Sequence, residues 1–69
     1  MLSDSLKLKI ESLPAILSIR ETANFFSVSY LTVYRLIFSG RLPAWKDDEG
    51  RWCVARSDLM RFCSKNSNL

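Results

Sequence analysis

Histidine is absent from these 69 residues. That absence removes the imidazole on which most general acid–base schemes at neutral pH depend. Cys53 and Cys63 are the only cysteines, and without a C-x-x-C pair or a histidine they do not outline a zinc site. Two bare thiols suggest a reducing compartment, where they pack as small apolar side chains. With two glycines and two prolines, the chain has no Gly-rich phosphate loop and does not read as a disordered tail. No apolar run approaches the roughly 18 residues that span a bilayer, and the N-terminus lacks the apolar stretch of a secretory signal. The expectation is a cytosolic protein, bacterial or phage-like in style. Carboxylates cluster only at Asp47-Asp48-Glu49, in a turn-forming sequence. Such a cluster can collect a divalent cation loosely but does not close a site. No cofactor and no catalysis are expected.

What is present is a large apolar fraction in a short chain. One domain is the limit at this length, and a domain of roughly 60 residues buries only about 60% of its unfolded surface. Apolar residues make up 48% and aromatics 12%, enough for a compact core. The net charge of +3 is unevenly spread. From Pro14 to Lys46 the charges are Arg20, Arg35, Arg41 and Lys46 against Glu21 alone, whereas both flanking segments cancel internally. A central cationic excess suits a polyanion, although surpluses of this size are common among soluble proteins.

The first thirteen residues leave two readings open. Leu6, Ile10 and Leu13 follow helical spacing, with Ser3 or Asp4 as a cap and Pro14 as a stop; Leu6, Leu8 and Ile10 fit an alternating strand equally well. Further on, Ser18 and Glu21 form a capping-box pattern that opens a helix over Ile19–Phe26, with Ile19, Ala23 and Phe26 on one face. Ser29 caps a second helix from Tyr30 to Ser39, its stripe of Val33, Leu36 and Ile37 facing the core, and Gly40 suits the left-handed position that ends it. Two short helices joined by three or four residues are a helix-turn-helix. Ala44-Trp45-Lys46 and Arg51–Ala55, on either side of Asp47-Asp48-Glu49-Gly50, predict a β-hairpin. Ser57 is the expected cap of a last helix carrying Leu59, Met60, Phe62 and Cys63, and the polar residues from Ser64 onward are expected to fray.

The blocks Leu17-Ser18-Ile19-Arg20-Glu21-Thr22-Ala23, Val28-Ser29, Thr32-Val33-Tyr34-Arg35-Leu36-Ile37 and Ser39-Gly40-Arg41-Leu42-Pro43-Ala44 together resemble the excisionase-type helix-turn-helix of the MerR-like winged-helix group. Gly50-Arg51-Trp52 and Arg56-Ser57-Asp58-Leu59 continue the resemblance in register, over about Leu17 to Phe62. It implies a mainly α fold with a small β-hairpin wing: an N-terminal segment over 1–14, a winged helix-turn-helix over 15–64 and a tail over 65–69. It also implies that the second helix enters the major groove and the wing reaches the flanking backbone or minor groove. Three departures stand out. Ser27 replaces the usual glycine before Val-Ser, Tyr30-Leu31 replaces a basic or small polar pair, and the wing tip is acidic. Carboxylates at the tip would be repelled by phosphate.

On this reading the recognition residues are Ser29, Tyr30, Leu31, Thr32, Tyr34 and Arg35, and the backbone or wing contacts are Arg20, Arg41, Lys46 and Arg51. Arg35 can pair with guanine or phosphate, and the tyrosines can donate to phosphate or pack on sugars and thymine methyls. Each also has a plain role: Arg35 as a solvated residue, the tyrosines at the core edge, Thr32 as a local hydrogen-bonder. Trp45 and Trp52 fit the hairpin core better than base stacking, and Arg56 can brace the wing or pair with Asp58. Leu31 and Phe38, apolar on the outward side, mark a partner surface unless the N-terminal segment covers them. The leading expectation is a sequence-specific duplex-DNA-binding protein, an excisionase-like architectural factor in recombination or a small transcription regulator, working in cooperative arrays with itself or with a recombinase or polymerase. The rival is a protein-interaction module using the acidic tip and the exposed apolar residues.

Overall fold

The computed structural model describes residues 4–65. In order it contains helix α1 (Asp4–Glu11), strand β1 (Ile16–Ser18), helices α2 (Ile19–Phe26) and α3 (Tyr30–Phe38), strands β2 (Trp45–Lys46) and β3 (Trp52–Ala55), and helix α4 (Arg56–Lys65). The N-terminal segment resolves as a helix whose Ile10 is fully buried. Ser3, one of its two candidate caps, lies outside the described residues, and Asp4 sits in its first turn.

Strand β1 is an addition to the expected hairpin. It pairs antiparallel with β3, Leu17 opposite Val54 and Ser18 opposite Cys53, so β3 is the central strand of three. Leu17 and Val54 are both fully buried. Three residues are too few to show the alternation by which a strand is legible in sequence. The strand passes straight into α2 because Ser18 serves both: its extended backbone (φ −79, ψ 172) suits a strand end and an N-cap alike. Its Oγ accepts from the Glu21 amide at 3.1 Å, and the Glu21 carboxylate accepts from the Ser18 amide at 2.9 Å, the reciprocal arrangement of a capping box. Thr22, fully buried, donates its hydroxyl to the Ser18 carbonyl at 2.9 Å.

Helices α2 and α3 end in the same way. The Val28 amide donates to the Ala23 carbonyl and the Ser27 amide to that of Asn24; the Arg41 amide donates to Leu36 and the Gly40 amide to Ile37. This is the Schellman pattern, which needs a left-handed residue. Gly40 takes it at φ 80 and Ser27 at φ 56. Ser29 caps α3, accepting from the Thr32 amide at 3.3 Å.

The hairpin forms with Lys46 opposite Trp52 and Trp45 opposite Cys53. The last helix departs from expectation at both ends. It begins at Arg56, so Ser57 lies inside its first turn and is not its cap. The reason is that β3 runs directly into α4, and the Arg56 amide finds its acceptor in the Ala15 carbonyl at 2.9 Å. The Arg56 guanidinium donates to the carbonyls of Glu11 (3.1 Å) and Leu13 (2.7 Å). It therefore fastens the end of α1 and neither braces the wing nor pairs with Asp58, which lies 3.9 Å from Arg61 instead. The helix continues through Ser64 and Lys65, where fraying is the sequence expectation; residues 66–69 lie outside the described residues.

Ile19, Ala23, Val33, Leu42 and Val54 form one buried cluster, with Leu36, Ile37, Trp52 and Phe62 packed around it. Ile10, Leu17, Leu59 and Cys63 are also buried, on α1, β1 and α4. Both cysteines are free thiols; burial pushes the Cys63 thiol up from its ordinary value. No helix among the described residues is long and apolar enough to cross a membrane.

Two substitutions probe the helix ends. Ser18→Ala removes the cap and should cost about 1 kcal/mol, lowering the thermal midpoint by roughly 4–8 °C in a domain of this size. Ser27→Gly should act in the opposite direction, because a non-glycine residue in the left-handed region carries a penalty of about 1–2 kcal/mol, only partly offset by glycine's greater chain entropy. Calorimetry or thermal circular dichroism measures both; a lower midpoint for Ser27→Gly would contradict the left-handed assignment.

Candidate nucleic-acid interface

At 3.6 residues per turn, burying Val33 and packing Leu36 and Ile37 inward turns Leu31, Arg35 and Phe38 outward, with Tyr30 and Tyr34 on one flank. The turn from Ser27 to Ser29 sets α3 across α2, and the Arg20 Nε on α2 donates to the Tyr30 hydroxyl on α3 at 2.8 Å. Arg20, Tyr30 and Tyr34 share a cleft of about 370 Å³ with Arg51 and Trp52 of the hairpin. Two helices joined by a three-residue turn, the second presenting its outer face beside a hairpin, form the element for which families of this kind are defined. Residues 16–67, most of the chain, match the family described as Helix-turn-helix domain.

The chain belongs to the helix-turn-helix domain family.

No curated protein and no solved structure matches it. Helix α1 precedes the residues of the helix-turn-helix match, so the winged core of α2, α3, the β2–β3 hairpin and α4 is the shared part, with β1 as the strand that leads into it. The fold is the winged helix-turn-helix expected from the sequence.

Within this helix-turn-helix protein the candidate residues separate into three groups. Ser29, Tyr30, Leu31 and Arg35 are exposed on α3 or at its start, and Tyr34 is half-buried. Thr32 is half-buried too, its hydroxyl 3.2 Å from that of Ser29, so it reinforces the cap. The Arg35 guanidinium has no hydrogen bond or ion pair among the described residues. Arg20, Lys46 and Arg51 lie on α2 and the hairpin. Lys46 places its ammonium 5.3 Å above the Trp52 ring, a cation–π contact. Arg41 stands apart from both: it lines a separate cleft with Asp58, Arg61 and Lys65 of α4.

The acidic wing tip is largely folded in on itself. The Asp47 carboxylate accepts from the amides of Glu49 and Arg51, each at 2.9 Å, while the Arg51 guanidinium lies 3.4 Å from Asp47 and 3.2 Å from Glu49. Chiefly the Arg51 amide, with help from the Glu49 amide and the Arg51 charge, holds the Asp47 carboxyl below its ordinary value. Two of the three carboxylates are thus engaged locally, and Arg51 is held by them rather than left open to a ligand. These pairs are well exposed and worth little in isolation, so Arg51 can exchange them for a phosphate.

The sequence marks Phe38 as an outward apolar residue but does not count it among the DNA contacts. Its ring stacks on Tyr34 (centroids 6.0 Å, 14° between planes) and makes a T-shaped contact with Trp52 at 5.7 Å and 83°. The i, i+4 spacing of Tyr34 and Phe38 is the signal for the first contact; nothing local in sequence signals the second. Helix α1, a possible cover for this face, packs on α4 instead. Leu31 stays 57% and Phe38 71% exposed. Trp52 joins the core as expected, whereas Trp45 remains 41% exposed. Among the described residues no group of carboxylates and thiols is placed to hold a metal.

Because Asp47 titrates lower in the folded turn than its ordinary 3.8, its ionisation favours the closed tip. That contribution is in place above about pH 3.8 and is lost as the pH falls through the lower folded value. Asp47→Ala should therefore open the tip at neutral pH, speeding exchange of the Arg51 amide about tenfold and leaving helix amides unchanged, with the difference from wild type shrinking as the pH falls below 3.8. Amide exchange by NMR at two pH values reads both effects.

Proposed function

We infer that this protein binds duplex DNA sequence-specifically, with α3 in the major groove and Arg35 reading a base. The observation that carries this reading is the guanidinium of Arg35, exposed at the centre of the outward face of α3 without a protein partner, on a helix that carries no carboxylate. A guanidinium fork matches O6 and N7 of guanine, and one such pair discriminates by about 1–3 kcal/mol. Tyr30, Leu31 and Tyr34 extend the same face, while Ser29 and the first amides of α3 suit a phosphate. Arg20, steadied by Tyr30, and Arg51 of the hairpin offer cations along the cleft beside α3, and Lys46 stands over the ring of Trp52, which lines it; Arg41 belongs to a second cluster with Arg61 and Lys65. The resemblance to excisionase-type proteins of the MerR-like group suggests an architectural role in recombination or a small transcription regulator in the cytoplasm of a bacterium or phage host. Repeated copies or a recombinase or polymerase partner would supply the affinity that one small module lacks.

A second reading, a protein-interaction module, has one observation in its favour: the exposure of Leu31 and Phe38. A mobility-shift titration against a randomised duplex library separates the two. With three to five phosphate contacts, affinity should fall roughly as the third to fourth power of salt. A shared motif should be enriched and then lost with Arg35→Ala. Weak, motif-free binding that vanishes with salt would leave only a basic surface, and no binding at low salt would sink the DNA reading.

A further inference from the structure

We propose that Leu31 and Phe38 read thymine methyl groups on either side of the base contacted by Arg35, so that the target holds a guanine with a thymine within two base pairs on each side. This rests on α3 being the major-groove helix.

The three side chains occupy positions i, i+4 and i+7 of one helix and so form a single stripe. At 1.5 Å rise per residue, Leu31 and Phe38 are about 10 Å apart along the axis, roughly three base steps at 3.4 Å each. Arg35 lies between them. Its neighbours on the stripe are therefore placed to meet base pairs one or two steps from the one it reads.

Both neighbours are apolar and open to solvent. In the major groove the distinctive apolar group among the bases is the C5-methyl of thymine. Phe38 is not a loose side chain: its ring stacks on Tyr34 and packs nearly perpendicular to that of Trp52, which is anchored in the core. A ring held in this way loses little conformational freedom on contact.

The choice of DNA over an apolar protein groove comes from charge. Helix α3 has no carboxylate, its stripe is centred on a guanidinium, and Arg20 and Lys46 stand on neighbouring elements. An apolar partner groove would have to bury that guanidinium, which is strongly unfavourable unless it is paired. A major groove receives it and the two apolar side chains together.

The test uses the duplex enriched from the library and a copy in which deoxyuridine replaces thymine, which removes the C5-methyl and nothing else. The wild-type chain should bind the uracil duplex about fourfold more weakly for each contacted methyl. Leu31→Ala and Phe38→Ala should weaken binding to the thymine duplex and lose sensitivity to uracil at one position each. Equal wild-type affinity for both duplexes, with the motif still dependent on Arg35, would overturn the methyl contacts and leave the DNA reading intact. So would an enriched motif without thymine within two base pairs of the Arg35-dependent base. If no duplex binds at low salt, the underlying reading fails as well. Abolition of self-association by Phe38→Ala in sedimentation, with duplex affinity unchanged, would assign the stripe to a protein partner and overturn the proposal.

Discussion

What α3 shows to the outside is set by Val33. This residue is fully buried in one cluster with Ile19, Ala23, Leu42 and Val54, and a helix with one side chain fixed inward has no freedom to rotate about its axis. Rotation by a single residue, about 100°, would drive Tyr34 into the cluster and replace the stripe of Leu31, Arg35 and Phe38. The small side chain of Ala23 lets α2 approach closely, and the turn through Ser27 aims α3 across it. Val54 links the helices to the central strand, so the hairpin is placed by the same cluster. The outward face of α3 and the wing are two consequences of one packing arrangement.

The electrostatics follow from that placement. An acidic tip on a wing meant to approach phosphate looks contradictory as a string of residues. In three dimensions Arg51 folds back over Asp47 and Glu49, and the Asp47 carboxylate binds two amides of its own turn. Much of the negative charge therefore serves to close a short hairpin of only two residue pairs. On the elements beside α3, Arg20 and Lys46 have no carboxylate partner among the described residues. Each rests against an aromatic side chain, Tyr30 or Trp52, which limits the rotamer freedom that a long basic side chain loses on binding.

The features legible in the sequence were those encoded within a few residues. The capping box at Ser18 and Glu21, the Ser29 cap, Gly40 beyond α3 and the hairpin around Asp47–Gly50 each rest on a local pattern, and each formed. The features that were not legible depend on distant partners. Strand β1 exists because β3 offers it a free edge. Helix α4 starts at Arg56 because Ala15 supplies an acceptor from across the sheet, and that long-range bond made a capping Ser57 unnecessary. The role of Arg56 in fastening α1 likewise joins residues more than forty positions apart. The clearest gap in the candidate site was Phe38, because its support by Trp52 comes from another element. The local departure at Ser27 was visible, but only the backbone shows that serine takes the left-handed conformation that glycine would.

The dimensions of the reading face constrain how such a protein can work. On the proposed reading, one guanidinium contact would contribute about 1–3 kcal/mol of discrimination, and two methyl contacts would add roughly 0.8 kcal/mol each. Together these favour the right site by about two to three orders of magnitude, at or below the lower end of the 10³–10⁷ range typical of specific binding. The shortfall is a matter of length: α3 has nine residues, and its stripe spans about three base steps. A longer helix would not help, because a straight helix leaves the curving groove after a few base pairs. Greater selectivity must therefore come from outside one copy, through adjacent sites or a second protein. The proposed reading face is not the only charged surface open to such a partner, because the cleft where Arg41 meets Arg61 and Lys65 of α4 lies apart from the one formed by Arg20, Tyr30 and Arg51.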